Sequence, residues 1–177
     1  MRDAASFMLL GIVYPLWVLA GLADWYTHKR TGIAITSGLK ENLLHWLMYA
    51  EIGVGMLAVA FLDIDAAVLA IVFVVFVVHE ATVYWDLHYS TLKRDVGPFE
   101  QMVHSFLELL PLVSLALLTL IADLARWDLR LKSEPWPPEY LAVAGAAALL
   151  FNALPLAQET FSCLAARRRT RRSPEPR

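Results

Sequence analysis

The sequence predicts an all-α integral membrane protein with about five transmembrane helices, the first four of which form a bundle around a dinuclear metal site. Hydrophobic residues make up 58% of the 177 residues and the mean hydropathy is +0.52, which is more apolar than a soluble domain of this length. These residues fall into five runs, each of roughly the 20 residues that cross a bilayer. Histidines and acidic residues collect at the ends of these runs.

The five predicted spans are joined by connections that indicate how they are arranged. They are approximately residues 5–23, 43–61, 66–83, 103–122 and 140–156. The turn LDIDA is so short that the second and third spans should form an antiparallel hairpin. The fifth span carries only Asn152, Gln158 and Glu159 as polar residues, so we expect it to brace the bundle. Residues 1–160 should form one transmembrane domain, followed by a basic cytoplasmic tail over residues 161–177.

The distribution of Lys and Arg predicts the orientation, because cytoplasmic loops carry the excess of positive charge. One side of the predicted membrane carries Lys29, Arg30, Lys40, Lys93, Arg94 and the arginine-rich tail. The other side has Arg2 and a loop of mixed charge. We therefore expect the N-terminus outside and the C-terminus in the cytoplasm of a bacterial inner membrane, with Arg94 as a cytoplasmic anchor.

Composition also narrows the classes of partner and site. The net charge of −2 and the clustering of basic residues give no indication of nucleic-acid binding. A single cysteine, Cys163, excludes an internal disulfide framework and a cysteine-rich metal site. Membrane lipid is the expected surrounding. The small-residue stretch AVAGAAALL in the fifth span suits close helix packing or a homo-oligomer contact.

Each of the first four spans brings acidic and histidine side chains to the predicted cytoplasmic side. All five histidines of the chain lie in these stretches. The candidate metal ligands are Asp24 and His28 on the first helix, Glu41 and His45 on the second, His79, Glu80 and Asp86 on the third, and Glu100, His104 and Glu108 on the fourth. The fifth histidine, His88, projects almost opposite to His79 and is left out of this set.

The spacing of these residues favours metal binding over a merely solvated helix end. Three of the pairs place a carboxylate four residues before a histidine, which puts both on one helix face. His79 and Glu108 lie inside apolar runs, where an unpaired charge costs several kcal/mol. Helical bundles build dinuclear sites from such inward columns of carboxylate and imidazole. The alternative is a structural polar network without metal.

The ligand types indicate the metal and the chemistry. Nitrogen and oxygen donors without thiolate suit two iron ions, with zinc or manganese as alternatives. The arrangement over residues 24–108 resembles the ferritin-like di-iron carboxylate proteins and, in its membrane setting, the histidine-rich lipid desaturases and hydroxylases. Our hypothesis is an oxidoreductase that acts with O2 on an apolar, lipid-like substrate. An external electron donor is then required, because the chain has no flavin or dinucleotide motif.

Three other functions remain open on the sequence. A zinc-dependent membrane hydrolase would hold zinc with three histidines and activate water with a carboxylate such as Glu80. A metal or proton carrier would use Glu51 and Glu108 as a path, although the third span beyond His79 is wholly apolar. A haem protein for electron transfer would use a pair such as His45 and His104, but it does not need so many acids.

Overall fold

Within the residues that the structure describes, five helical segments are each long and apolar enough to cross a membrane. The computed structural model describes residues 2–172. The segments are α1 (Arg2–Thr31), α2 (Leu39–Phe61), α3 (Ala66–Thr91), α4 (Pro98–Ile121) and α5 (Pro138–Thr170, continuing as helix to Arg172). Among the described residues, extended structure is limited to two isolated bridges in the connections. The predicted all-helical class and the five potential membrane-crossing helices are confirmed.

All five helices extend beyond the predicted spans at the same end of the bundle. They reach Thr31, Leu39, Thr91, Pro98 and, at the end of α5, Arg172. Hydropathy reports the roughly 30 Å of hydrocarbon, whereas backbone hydrogen bonding continues a helix beyond it at about 1.5 Å per residue. The predicted tail is therefore helical from residue 161 to Arg172, and residues 173–177 lie outside the described residues.

Helices α1 and α5 each contain one π-helical turn. These turns span Leu9–Val13 and Leu149–Ala153, and each ends two residues before a proline, Pro15 or Pro155. Proline has no N–H and its ring collides with the carbonyl four residues earlier in a regular α-helix. A wider turn relieves that conflict, so both helices continue past their prolines.

The helices pack as a bundle whose two halves differ in chemistry. Helices α2 and α3 form the antiparallel hairpin, α1 packs on α4, and α5 lies against α1 and α2. An apolar core from α1 and α4 includes Leu9, Val13, Trp17, Leu117 and Leu118. This core fills the half of the bundle away from the extended helix ends, so the predicted site residues converge in the other half.

The connections at the apolar end are held by Asp65, the N-cap of α3. Its carboxylate accepts hydrogen bonds from the backbone N–H of Val68 at 3.0 Å and of Asp128 at 2.8 Å. The first satisfies a free N–H of the helix start. The second ties the loop between α4 and α5 to the hairpin.

Candidate metal centre

His28 on α1 lies at the centre of a buried group of acidic side chains. Its Nε2 lies 3.5 Å from Asp24 Oδ1, 3.4 Å from Glu100 Oε1 and 3.8 Å from Glu41 Oε1. The side chain is 1% exposed, and this nitrogen makes no hydrogen bond to any residue that the structure describes. Three carboxylates from three helices thus surround one unpaired imidazole nitrogen.

The spacing of these atoms matches that of ligands around a metal ion. Metal bonds of about 2.0–2.2 Å in a tetrahedral zinc site place neighbouring ligand atoms roughly 3.3–3.6 Å apart. The potential ligand atoms lie within 4.8 Å of one another in each of two groups that share His28. One group is Asp24, His28, Glu100 and His104, and the other is His28, Glu41 and His45.

A second imidazole, that of His45 on α2, stacks on His28. The ring centroids lie 4.6 Å apart and the planes differ by 6°. His45 Nε2 lies 3.4 Å from Asp86 Oδ2 on α3, and Asp86 Oδ1 is buried without a hydrogen bond among the described residues. The two parallel rings therefore present their Nε2 atoms to two neighbouring sets of carboxylates.

His104 on α4 is hydrogen-bonded rather than free. Its Nε2 lies 2.9 Å from Asp24 Oδ1 and 4.0 Å from Glu100 Oε1. The predicted four-residue pairs are thus in contact on α1 and α4, since His28 also lies beside Asp24. Asp24 connects the two histidines.

Arg94 has a different environment from the cytoplasmic anchor expected of it. Its side chain is 3% exposed. The guanidinium donates hydrogen bonds to Glu41 Oε1 at 2.6 Å, to Glu100 Oε2 at 2.9 Å and also to Glu100 Oε1. Burial by itself would lower the pKa of Arg94, but the bonds to Glu100 and Glu41 raise it above its ordinary value. The loop between α3 and α4 thus adds one permanent positive charge to the site.

Glu159 on α5 belongs to the same group of buried side chains as His28 and His45. The expectation that the fifth helix only braces the bundle is therefore wrong. Its Oε2 lies 3.4 Å from His28 Nδ1, and its Oε1 lies 3.8 Å from His45 Nδ1. The bundle around the site therefore has five helices, not four. The sequence signal was present, since Glu159 is an acidic residue that follows an apolar run at the same end as the histidines.

His79, Glu80, Asp86 and Glu108 lie in neither of the two groups that share His28. His79 Nδ1 instead lies 3.4 Å from Glu51 Oε2, and Thr82 donates a hydrogen bond of 2.7 Å to Glu51 Oε1. His79 is about 10 Å deeper than Asp86 along α3, at 1.5 Å per residue. Glu51 is therefore the partner of His79.

The two remaining residues of this region have different surroundings. Glu80 Oε1 is buried without a hydrogen bond in the described part of the chain. His88, which the helical spacing left out, is exposed and stacks on Tyr84 with ring centroids 6.3 Å apart. His88 therefore serves as a surface reference for the buried histidines.

A cavity of about 120 Å³ lies beside the cluster. Its polar wall comprises Asp24, His28, His45, His79, Asp86, His104, Glu108 and Glu159. Its apolar wall includes Trp17, Ile52, Val83, Leu107 and Leu156. A small apolar group in this cavity would lie directly against the histidines and acids. His79 and Glu108 thus border the same space as the two ligand groups.

Comparison of the chain with protein families, with characterised proteins and with solved structures finds no match.

Proposed function

We propose that this chain is a membrane-embedded oxidoreductase with two metal ions, iron being favoured, that acts with O2 on an apolar, lipid-like substrate. The observation that supports it most directly is the unpaired Nε2 of buried His28, with three carboxylate oxygens 3.4–3.8 Å away. These separations exceed ordinary hydrogen-bond lengths and suit atoms that share a metal ion.

The charge of the cluster supports two divalent ions. Its ionisable members besides the histidines are Asp24, Glu41, Asp86, Glu100, Glu159 and Arg94. Five carboxylates and one guanidinium leave four negative charges, which two divalent cations would neutralise. Histidine must be neutral to bind metal, so this balance needs no protonated imidazole. If His28, His45 and His104 were protonated instead, one negative charge would remain in a buried site, where charge is costly.

The contacts suggest how the ligands would be divided. Asp24, His28, Glu100 and His104 would hold one ion. His45 and Asp86 would hold the second, and Glu41, which lies near both imidazoles, would be available to either ion.

Bound iron would supply the reduction of O2, with electrons from an external donor. The residues of the chain would do the rest. Arg94 would hold Glu41 and Glu100 in place. The apolar cavity wall, which includes Ile52 and Leu107, would orient an aliphatic group and exclude water. The substrate would reach this wall from within the bilayer.

We also propose that the site lies near the cytoplasmic face, with the N-terminus outside. Lys29, Arg30, Lys40 and Lys93 lie at the same end of the bundle as the cluster, as the positive-inside rule requires. At the opposite end, Arg126 contacts Asp63 and Asp128, so acidic neighbours offset its charge. Cysteine-accessibility labelling in intact cells of Lys93→Cys and of Glu134→Cys, each in a Cys163→Ala background, tests this orientation.

A zinc-dependent hydrolase is the second candidate, because the same ligand separations suit tetrahedral zinc. Asp86 Oδ1, which has no partner among the described residues and belongs to a residue that borders the cavity, would then be available to activate water. We favour Asp86 over Glu80 for this role because Asp86 borders the cavity and contacts His45. A colourless protein that retains zinc would favour it.

Elemental analysis of the detergent-purified protein tests both candidates. We expect two equivalents of iron in the wild type, and loss of metal in His28→Ala and in His104→Ala. His88→Ala is the matched control and should retain the wild-type content, because His88 is exposed. Iron-dependent O2 consumption by the reduced protein would select the oxidoreductase. Metal-free wild type after expression and reconstitution with iron, zinc and manganese would overturn both.

A further inference from the structure

We propose that Glu159 is a positioning residue that sets the tautomers of His28 and His45 together, so that both rings bind metal through Nε2. This inference rests on the proposed metal centre, and it assigns a role to the fifth helix. Glu159 is 6% exposed, and each of its two oxygens faces the Nδ1 of a different imidazole, at 3.4 Å and 3.8 Å.

The two nitrogens of each ring face different acidic side chains. Nδ1 of both histidines faces Glu159, while Nε2 of His28 faces Asp24, Glu41 and Glu100, and Nε2 of His45 faces Asp86. A neutral imidazole carries one N–H, and an ionised carboxylate only accepts hydrogen bonds. With an ion bound at Nε2, the N–H of both rings would therefore lie on Nδ1, on the side that faces Glu159.

A chain of hydrogen bonds between α2 and α5 holds Glu159 in place. Asn42 Nδ2 donates to Glu159 Oε1 at 3.1 Å, and Thr160 Oγ1 donates to Asn42 Oδ1 at 2.7 Å. Trp46 Nε1 donates to Thr160 Oγ1 at 2.9 Å. Asn42 is fully buried. The carboxylate is therefore held by Asn42 on one side and faces the two rings on the other.

This arrangement distinguishes Glu159 from the other acids of the cluster. Asp24, Glu41 and Glu100 approach Nε2 of His28, so they share a ligand space with it. Glu159 lies on the opposite edge of both rings. Carboxylates that bind the non-ligating N–H of a metal-bound histidine fix its orientation, and their loss typically lowers metal affinity about 10- to 100-fold.

Long-range 1H–15N NMR of the zinc-loaded protein, labelled with 15N-histidine, tests the proposal directly. We expect His28 and His45 to show a protonated Nδ1 and a zinc-bound Nε2. In Glu159→Gln the amide can accept from one ring but presents its NH2 group to the other. One imidazole should therefore lose the Nδ1–H tautomer, and zinc affinity should fall about 10- to 100-fold.

Two further variants give the test its controls. Glu139→Gln makes the same change at an exposed position of α5 and should leave both tautomers and zinc affinity unchanged. Thr160→Val removes the donor to Asn42 and should weaken zinc binding in the same direction but less, which keeps the proposal testable if Glu159→Gln does not fold.

The outcomes separate this proposal from the metal centre itself. Zinc bound through Nδ1 of either His28 or His45 would overturn the role of Glu159 and leave the metal centre standing. Unchanged zinc affinity in a folded Glu159→Gln protein would do the same. A wild type that binds no zinc, iron or manganese would overturn both proposals.

Discussion

At the level of single residues, contacts between groups of opposite charge organise the buried side chains around His28. Carboxylates from α1, α2 and α4 surround His28, and Arg94 neutralises part of their charge. A buried ion pair contributes little net stability, but removal of one partner leaves an uncompensated charge. The arginine is therefore required for as long as Glu41 and Glu100 are ionised.

Replacement of Arg94 by methionine should destabilise the metal-free protein. Loss of one partner of a buried pair costs about 3–5 kcal/mol, because Glu41 and Glu100 lose the guanidinium that compensates them. Metal loading should reduce this loss, since cations compensate the same carboxylates. Denaturant unfolding with and without metal measures both effects. Lys93→Met, at the exposed neighbouring position, should change little, and equal stability of the two variants would contradict the assigned role of Arg94.

Asp65, at the apolar end of the bundle, should make the stability of the protein depend on pH. Burial by itself would raise its pKa, but hydrogen bonds from the backbone of Val68 and Asp128 hold the pKa below its ordinary value. A carboxylate with a lowered folded-state pKa stabilises the fold above its ordinary pKa of about 4, and this contribution is lost as pH falls through the folded-state value.

Asp65→Ala should therefore cost about 1–2 kcal/mol of stability at neutral pH, and the difference from wild type should shrink in acid. Thermal unfolding between pH 2 and 7, which spans roughly the range of carboxyl titration, provides the measurement. Asp95→Ala, at an exposed position, is the control. A wild-type advantage that grows as pH falls would show that the cap does not act through its charge.

At the scale of elements, the close approach of α1 and α5 depends on Gly21. A Cβ at this position would lie 2.2 Å from Asn152 Nδ2. Asn152 lies in the π-helical turn of α5, and Glu159 is two turns further along the same helix at about 3.6 residues per turn. The contact therefore helps to set where Glu159 meets His28 and His45.

Gly21→Ala should destabilise the protein by about 1–3 kcal/mol, the usual cost of overpacking. Gly53→Ala in α2 meets nothing within 4 Å and should be neutral, or stabilising by up to about 1 kcal/mol from helix propensity. Unfolding of both variants and of Gly21→Ala/Asn152→Ala gives the comparison. The double variant should recover stability if Asn152 causes the strain, and no recovery would point to another contact.

In the molecule as a whole, one half of the bundle carries buried charged side chains and the other half is apolar. The apolar half is held by burial of side chains such as Trp17 and Leu118. The charged half depends on compensation among acids, histidines, Arg94 and the proposed ions. Metal binding should therefore be coupled to the stability of the entire five-helix bundle.

Removal of metal by a chelator should lower the thermal stability of the wild type. A ligand at 100 times its dissociation constant stabilises a folded protein by about 2.7 kcal/mol. Return of iron or zinc should restore the melting temperature, whereas His28→Ala should not respond to either ion. A wild-type melting temperature that is the same with and without saturating metal would rule out this coupling.

Patterns along the chain were enough to predict that it is helical, that five segments are long and apolar enough to cross a membrane, and that the histidines, with acidic residues near them, occur toward one set of helix ends. These properties follow from hydropathy and helical spacing, which are local along the chain. Spacing also separated His88, which is exposed, from His28 and His104, which are not.

Which of these side chains come into contact depends on how the helices pack against one another in the tertiary structure. Arg94 comes from a loop and Glu159 from a helix with few polar residues, so no periodicity linked either of them to His28. His79 is joined to Glu51 rather than to His28 or His45, because depth along α3 separates residues that share a helix face. Contacts between helices depend on rotation, tilt and loop path, which a pattern along one helix does not contain.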